Sequence, residues 1–170
     1  KHRLFEPKVK GNEGQIYEAS KLIANAKKPI FYIGGGCINS GLKASNLVRE
    51  FVKETGAPAT MTLMGLGVLP SSNKYSLGML GMHGMYEANL AMHDCDVMIN
   101  IGARFDDRVT GRLDAFSPNS KKIHIDIDAS SINKNIKVDI PIIGDVESIM
   151  NQFQDVWKKN KFSTNKDALE

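Results

Sequence analysis

Short runs that contain many apolar residues alternate along the chain with longer stretches whose apolar residues recur every three or four positions. The run at 29–34 is continuously apolar, which is typical of a strand buried on both faces of a parallel sheet. Four further runs predict strands at residues 59–63, 96–102, 122–128 and 140–144. The stretches with helical spacing predict helices over 13–27, between Ser40 and Gly56, and over 145–157. Strands alternating with helices predict an α/β fold with a doubly wound parallel sheet.

The predicted helices carry recognisable start and stop signals. Pro29 blocks continuation of the first helix. Ser40 is the predicted N-cap of the second helix, Gly56 is its stop signal, and Asp145 is the predicted N-cap of the last helix. We therefore predict a linker from a preceding domain over residues 1–11, one domain over 12–159, and a polar tail or linker over 160–170.

Composition and charge exclude several classes of protein. The chain has 170 residues, of which 42% are hydrophobic and 24% charged, as in a globular protein. The net charge of +3 comes from scattered basic residues, and aromatic residues make up only 7%, which argues against a nucleic-acid partner. No apolar run approaches the ~20 residues that span a bilayer, so no membrane partner is expected.

Cysteine usage and the first residues bear on compartment and completeness. Cys37 and Cys95 are too few for a disulfide framework, so we expect a reducing compartment: the cytoplasm, or an organelle in a eukaryote. The chain begins with neither an initiator Met nor a signal peptide, so we expect it to be part of a longer protein. No cluster has metal-ligand spacing, and no nucleophile–base pair is recognisable.

Methionine is concentrated in one region. Seven of the eight methionines fall between Met61 and Met98, interleaved with glycines. Methionine adapts to irregular surfaces, and glycine allows close approach of a backbone. Loose core packing in loops is an alternative explanation, but a packed core does not need so many glycines. We therefore predict a pair of loops that line a ligand.

Three consecutive glycines, Gly34 to Gly36, follow the first predicted strand and precede a helix. Phosphate groups bind at this position in many α/β folds. The usual dinucleotide fingerprint needs a glycine where Asn39 stands, and an acid at the end of the second strand, where none is found. We predict a nucleotide-binding turn that differs from the standard NAD turn. A tight turn with positive φ is the alternative, although it explains one glycine more easily than three.

Segment 102–111 leaves the carboxyl end of a predicted strand, where ligands bind in open α/β sheets. Arg104 and Arg108 flank Asp106 and Asp107, so carboxylates can orient guanidinium groups that donate to phosphate oxygens. A surface ion-pair cluster, worth about 0–1 kcal/mol per pair, is the alternative. The glycines on both sides and the position at a strand end favour the ligand role.

Carboxylates also follow the later strands. Asp126 and Asp128 end one strand and Asp145 follows the next; such carboxylates can accept from ribose hydroxyls or an adenine amine. Asp145 suits an N-cap equally well, and the two roles are compatible. His83, between two glycines, is a candidate for hydrogen bonding to a ring system. Two further histidines are expected to have ordinary roles: His93 and His124.

Five segments resemble, in order and spacing, the central domain of the acetohydroxyacid synthase (acetolactate synthase) family of thiamine-diphosphate enzymes: 33–36, 80–84, 102–111, 124–128 and 144–146. The resemblance covers about residues 12–157. It implies a Rossmann-like (DHS-like), six-stranded parallel sheet that binds FAD without a net redox role. The flavin-contacting residues that it implies are Gly34, Gly35, Gly36, Thr62, Leu63, Met64, Leu80, Gly81, Met82, His83, Gly102, Arg104, Asp106, Arg108, Val109, Asp126, Ile127, Asp145 and Val146. It also places three residues near the channel to the active site: Met82, Asp107 and Arg108.

The same resemblance implies what lies outside this chain. Thiamine diphosphate and Mg²⁺ would be held by other domains, and a catalytic glutamate would come from an amino-terminal domain. The full enzyme would condense two pyruvates, or pyruvate with 2-oxobutyrate, in branched-chain amino-acid biosynthesis, and this domain alone would be inactive. The implied partners are the other domains of the same subunit and further copies in a homodimer or higher homo-oligomer. A regulatory small subunit is left open.

Three alternatives remain open at this point. The first is the central domain of another thiamine-diphosphate enzyme, such as a 2-oxoacid oxidase, a decarboxylase or glyoxylate carboligase. The second is a stand-alone dinucleotide-binding module, against which the departures from the NAD fingerprint count. The third is a structural domain that has lost its nucleotide, against which the retained glycines, arginines and aspartates count.

Overall fold

A parallel sheet forms the centre of the molecule. The computed structural model describes residues 8–112 and 116–164, and these contain one six-stranded sheet whose neighbouring strands all pair in parallel. The order across the sheet is β3-β2-β1-β4-β5-β6, which confirms the predicted doubly wound topology. The strands are β1 (Pro29–Ile33), β2 (Ala59–Met61), β3 (Ser76–Met79), β4 (Val97–Ile101), β5 (Lys121–Asp126) and β6 (Ile140–Ile143).

Helices cover both faces of the sheet. In the described ranges they are α1 (Glu13–Asn25), α2 (Gly35–Asn39), α3 (Leu42–Thr55), α4 (Tyr86–Asp94), α5 (Asp107–Thr110) and α6 (Val146–Lys159), with 3₁₀ turns at Leu63–Gly65 and Ala129–Ser131. Helices α1, α3 and α6 pack on one face. Helix α4 and the segments after β4 and β5 pack on the other. None of the helices described is long and apolar enough to cross a membrane.

An aromatic cluster joins the sheet to α3 and α6. The ring of Phe51 in α3 lies 5.9 Å from that of Phe31, 5.6 Å from that of Phe153 and 5.2 Å from that of Trp157, measured between centroids. All four side chains are buried. Aromatic pairs of this kind stabilise by about 0.5–1.5 kcal/mol beyond the burial of their area. The carboxyl edge of the sheet is therefore held on a well-packed frame.

The predicted strands are confirmed, with ends that differ by one or two residues. Gly56 ends α3 with a left-handed φ of 73°, and Asp145 caps α6 by accepting from the Ser148 N–H at 3.4 Å, as predicted. The prediction for Ser40 is wrong, since Gly41 is the N-cap of α3. The glycine turn continues into α2, and Ser40 lies at the C-terminal end of that extra turn.

Besides the short helices α2 and α5, strand β3 and helix α4 were not predicted from periodicity. Strand β3 lies at the edge of the sheet and is only half-buried, and Gly78 interrupts it with a φ of +75°. Its sequence therefore shows no apolar run, and the segment read as a ligand-lining loop is a strand in its first part. Helix α4 buries Ala88 but leaves Leu90 47% exposed, so its apolar residues do not form one stripe.

The described parts of the two ends pack back onto the domain. The Val9 carbonyl accepts from the Asp145 N–H at 2.9 Å, and Gly11 exchanges two hydrogen bonds of 2.9 and 3.2 Å with the Gln152 amide. The Phe162 ring lies 5.7 Å from that of Trp157. The linker over 1–11 and the tail over 160–170 stay predictions, and residues 1–7 and 165–170 lie outside the described ranges.

Candidate functional site

The residues predicted to bind a ligand lie at one edge of the sheet. Because the strands are parallel, their carboxyl ends meet there. The chain turns outward in opposite directions from β1 and β4, and such a switch point is where open α/β sheets form a ligand crevice. The predicted residues end or follow the strands at 34–36, 62–64, 80–83, 102–109, 126–127 and 145–146.

Gly34 and Gly36 meet Gly102 across this switch point. The Gly34 N–H donates to the Ile101 carbonyl at 2.8 Å, and the Gly36 N–H donates to the Gly102 carbonyl at 3.0 Å. A Cβ on Gly34 would lie 2.3 Å from the Gly102 oxygen, and a Cβ on Gly36 would lie 2.8 Å from the Gly102 Cα. Close approach of two backbones therefore requires these glycines. The alternative of a positive-φ turn is wrong, since none of the three has positive φ.

The loop after β2 presents apolar side chains to solvent. The Thr62 hydroxyl caps the 3₁₀ turn by accepting from the Gly65 N–H at 3.1 Å. Leu63 is 69% exposed and Met64 is 74% exposed. From α3, the Arg49 guanidinium donates to the carbonyl oxygens of residues 67 (2.9 Å) and 68. This anchor fixes the far side of the loop, so the exposed apolar surface has a defined position.

The glycine–methionine loop after β3 is held from two sides. Gly81 has a φ of +102°, and its peptide groups bond to the Asn89 amide of α4. The next N–H, that of Met82, donates to the Arg108 carbonyl at 3.0 Å. The Met82 side chain itself is 75% exposed, whereas that of Leu80 is buried. Of this loop, Met82 and the exposed His83 therefore present side chains at the edge.

The loop after β4 has a buried anchor between charged residues. Phe105 has a φ of 54° and is buried, with its ring 5.5 Å from that of Tyr32 and 5.2 Å from that of His124. The buried Asn100 amide bonds Ala103 twice, at 2.7 and 3.0 Å, and so fixes the start of the loop. A left-handed φ at a bulky residue is costly, and the ring contacts offset that cost.

The charged residues of this loop remain open to solvent. Arg104 Nη2 lies 2.9 Å from Asp106 Oδ2, and the two side chains are 71% and 50% exposed. The Asp107 carboxylate accepts from the Arg108 N–H at 2.9 Å. The predicted ion pair is thus present, but an exposed pair contributes about 0–1 kcal/mol. The pair uses one of the five N–H donors of the Arg104 guanidinium, which lies at the carboxyl edge of the sheet.

The strand-end carboxylates differ in what already binds them. Asp126 is buried, and its Oδ1 accepts from the Asp128 N–H at 2.9 Å. The Asp128 carboxylate accepts from the Ser130 hydroxyl and N–H, and these bonds hold its pKa below the usual value. The Asp145 carboxylate accepts from the Ser40 hydroxyl at 2.7 Å besides capping α6. The Asp128 carboxylate therefore already stabilises a 3₁₀ turn, and the Asp145 carboxylate already caps α6.

The His124 side chain lies in an unusual environment for a histidine. It is fully buried, and neither of its ring nitrogens has a hydrogen-bond partner among the described residues. Its Nε2 lies 3.6 Å from Asp126 Oδ2, which is too long for a hydrogen bond. The Asp126 carboxylate, at the carboxyl end of β5, therefore lies beside a buried imidazole to which it is not hydrogen-bonded.

Some predicted residues offer only their backbone to a ligand. Val146 and Leu80 are 4% exposed each, so their side chains belong to the core. Val109 is half-buried and also lines a cleft of about 180 Å³ between α4 and residues 109–112, 116 and 117. Ile127, by contrast, is 41% exposed beside Asp126. Within the two described ranges, no group of three or more His, Cys, Asp or Glu side chains is placed to hold a metal ion.

Comparison with known proteins places this arrangement in a family. The family model described as "Thiamine pyrophosphate enzyme, central domain" matches residues 16–153. The chain belongs to this central-domain family. The match spans the strands, the glycine turn and the segment 102–111, and so includes almost the whole carboxyl edge.

Three relatives of this central domain are acetolactate synthase large subunits. The acetolactate synthase large subunit of Haemophilus influenzae is 48% identical over 151 residues, which are 89% of the chain and 26% of that protein. That of Buchnera aphidicola subsp. Schizaphis graminum is 46% identical over 159 residues, or 94% and 28%. The isozyme 3 large subunit of Escherichia coli is 45% identical over 150 residues, or 88% and 26%. The central domain thus spans about a quarter of the length of these curated relatives.

Proposed function

We propose that this chain is the FAD-binding central domain of an acetolactate synthase catalytic subunit, a transferase that condenses two pyruvates or pyruvate with 2-oxobutyrate. The observation that carries the proposal is the exposed Arg104 guanidinium at the switch point, between exposed methionines on one side and the strand-end Asp126 on the other. A flat ring system, phosphates and an adenosine need these three kinds of surface, and they follow one another in FAD in the order in which the methionines, Arg104 and Asp126 follow one another along the sheet.

The residues present fit the three parts of FAD. The Gly36 N–H already donates to Gly102, so the phosphate donors are expected to be Arg104 and Arg108. The exposed apolar surface of Leu63, Met64 and Met82 suits an isoalloxazine ring. FAD, when bound, supplies a structural link without net electron transfer. The remaining predicted contacts, including those of Asp126 and Ile127 with the adenosine, belong to this proposal.

The names of the relatives support a proposal about the parts of the enzyme that lie outside this chain. Thiamine diphosphate and Mg²⁺ are held by other domains, and the described residues offer no metal cluster of their own. The proposed partners are those other domains and further copies of the subunit, and a regulatory small subunit is left open. The two cysteines are free and buried, which suits a reducing compartment, the cytoplasm or an organelle.

Ligand titration of this chain tests the proposal. FAD is expected to raise the melting temperature more than NAD or ATP does, with a concurrent change in flavin fluorescence. Equal stabilisation by ATP and FAD would contradict a flavin site, because only the shared adenosine part would then contribute. Selective stabilisation by NAD would favour a stand-alone dinucleotide module, and no response to any of the three would contradict FAD binding by this chain.

Arg104→Ala is expected to raise the Kd for FAD at least about tenfold, because a charge-assisted bond to a phosphate is lost. Met82→Ala is expected to change the Kd less, about two- to threefold, because it removes only apolar contact. Fluorescence titration measures both.

Lys121→Ala is the matched control for this charge deletion. Lys121 is also an exposed cation in an ion pair, 2.8 Å from Asp139, but it lies at the opposite, amino-terminal edge of the sheet. Its replacement is expected to leave the Kd unchanged. Equal FAD affinities for the unmodified chain and Arg104→Ala would remove the phosphate role.

A further inference from the structure

The Asn89 side chain of α4 bonds both ends of one residue in the glycine–methionine loop. Its Oδ1 accepts from the Gly81 N–H at 2.8 Å, and its Nδ2 donates to the Gly81 carbonyl at 3.0 Å. The amide thus pairs with Gly81 as a neighbouring strand would, just beyond the end of β3. Two bonds fix both the position and the orientation of the Gly81 backbone.

The backbone conformation and close packing of Gly81 restrict the position of the loop. Its φ of +102° is accessible to glycine, and a Cβ there would lie 2.9 Å from the Arg108 carbonyl oxygen. That same carbonyl accepts from the Met82 N–H at 3.0 Å. Asn89, Gly81, Met82 and Arg108 therefore form one continuous connection between α4 and the two loops of the carboxyl edge.

Among the hydrogen bonds described for it, Asn89 contacts the carboxyl edge only through the backbone of Gly81. It is half-buried and lines the cleft between α4 and residues 109–112, 116 and 117, whereas the Met82 side chain is 75% exposed. Any effect of Asn89 on a ligand must therefore run through the loop. An asparagine suits this place because the site needs a donor and an acceptor at once, whereas an ionised carboxylate only accepts.

We infer that Asn89 is a positioning residue of the flavin site, which holds Met82 and the Arg108 loop in the geometry that receives the ring system. This inference rests on the proposed function, since it names FAD as the ligand. It adds a residue whose side-chain hydrogen bonds go to the Gly81 backbone and not to a charged side chain.

Asn89→Asp tests the inference because its effect depends on pH. At pH 8 the introduced carboxylate faces the Gly81 carbonyl, and the Kd for FAD is expected to rise about fivefold. A protonated carboxyl group both donates and accepts, and about half of aspartate side chains with the ordinary pKa of about 3.9 are protonated at pH 4. At pH 4 the Kd is therefore expected to return to within about twofold of the unmodified chain. Asn89→Leu has neither group and is expected to stay about fivefold weaker at both pH values.

Controls separate this rescue from general effects of pH and charge. His93 and Arg112 line the same cleft, and Glu87 lies on the same helix, so the unmodified chain is titrated at both pH values. Asn151→Asp makes the same charge change on α6, where the amide bonds locally to the Glu147 carbonyl at 2.9 Å. Its Kd is expected to follow that of the unmodified chain.

Amide hydrogen exchange gives a readout that does not need FAD. At pH 8 the N–H groups of Gly81 and Met82 are expected to exchange at least about tenfold faster in Asn89→Leu, which has neither donor nor acceptor, than in the unmodified chain, while those of β1 keep their rates. Unchanged exchange at Met82 would overturn the inference, as would equal FAD affinity of both proteins. If the unmodified chain binds no FAD, the proposed function fails, and the exchange at Met82 still decides whether Asn89 positions the loop.

Discussion

Replacing Gly34 by alanine is expected to lower the free energy of unfolding by about 3 kcal/mol or more. The new Cβ would lie 2.3 Å from the Gly102 oxygen and 2.6 Å from the Ala103 Cα. Both atoms belong to the backbone that leaves β4, so neither can rotate away. Relief would require β1 and β4 to move apart at their carboxyl ends, and these strands pair along their whole length. Urea unfolding followed by circular dichroism measures the loss.

Gly35→Ala is the matched control in the same turn. Its Cβ would meet the Met64 Cβ at 3.0 Å, and Met64 belongs to an exposed loop that can shift by a few tenths of an ångström. The expected loss is about 1 kcal/mol or less. Equal losses for the two variants would show that close packing of the two backbones is not what requires glycine at position 34.

The sequence allowed the inner part of the sheet to be predicted because that part is buried on both faces. Strands β1 and β4 are buried at every residue, so apart from Asn100 their sequences are apolar. Strand β3 lies at the edge and contains Gly78, and α4 exposes apolar residues such as Leu90. Neither element has the periodicity on which such a prediction depends. An edge position, or apolar residues on the solvent side of a helix, leaves too weak a pattern.

The candidate site was predictable where a residue type itself carries the chemistry. The glycines, arginines and aspartates stand at strand ends, and parallel strands bring those ends together. The residues that shape the loops were not predictable, because their partners are main-chain or capping atoms. Asn89 bonds Gly81 eight positions away, and Ser40 bonds Asp145 at a separation of 105 residues. A bond to a carbonyl group leaves no complementary residue type in the sequence.

Raising the pH above 9 is expected to lower the free energy of unfolding, because three buried side chains are weak acids whose pKa values are raised in the folded protein. Burial raises the pKa of the Cys37 thiol from 9.0 to about 11. Burial also raises the pKa of the Cys95 thiol, although hydrogen bonds from Ser117 and Ser120 oppose the change. The pKa of Tyr32 is raised by burial and then by the nearby Asp106 carboxylate. In each case the folded protein favours the neutral form.

The sign of the pH dependence follows from which state binds more protons. Above pH 9 an unfolded thiol begins to lose its proton, whereas Cys37 in the folded protein keeps its proton up to about pH 11. The folded state then binds more protons, so the free energy of unfolding falls as the pH rises. For Cys37 alone the fall between pH 9 and 11 is about 2–3 kcal/mol, and below pH 9 the effect is absent.

Comparison of the unmodified chain with Cys37→Ala isolates this contribution. Lys122 works in the opposite direction, since burial lowers its pKa and stability is regained as the pH rises toward 10.5. That contribution and those of Cys95 and Tyr32 are common to both proteins and cancel in the difference. Between pH 8 and 11 the variant is therefore expected to lose about 2–3 kcal/mol less than the unmodified chain, measured by urea unfolding at each pH. Cys37→Ser, whose hydroxyl does not ionise in this range, is expected to behave like Cys37→Ala. Parallel pH profiles for all three proteins would show that the thiol at position 37 ionises equally easily in the folded and unfolded chain.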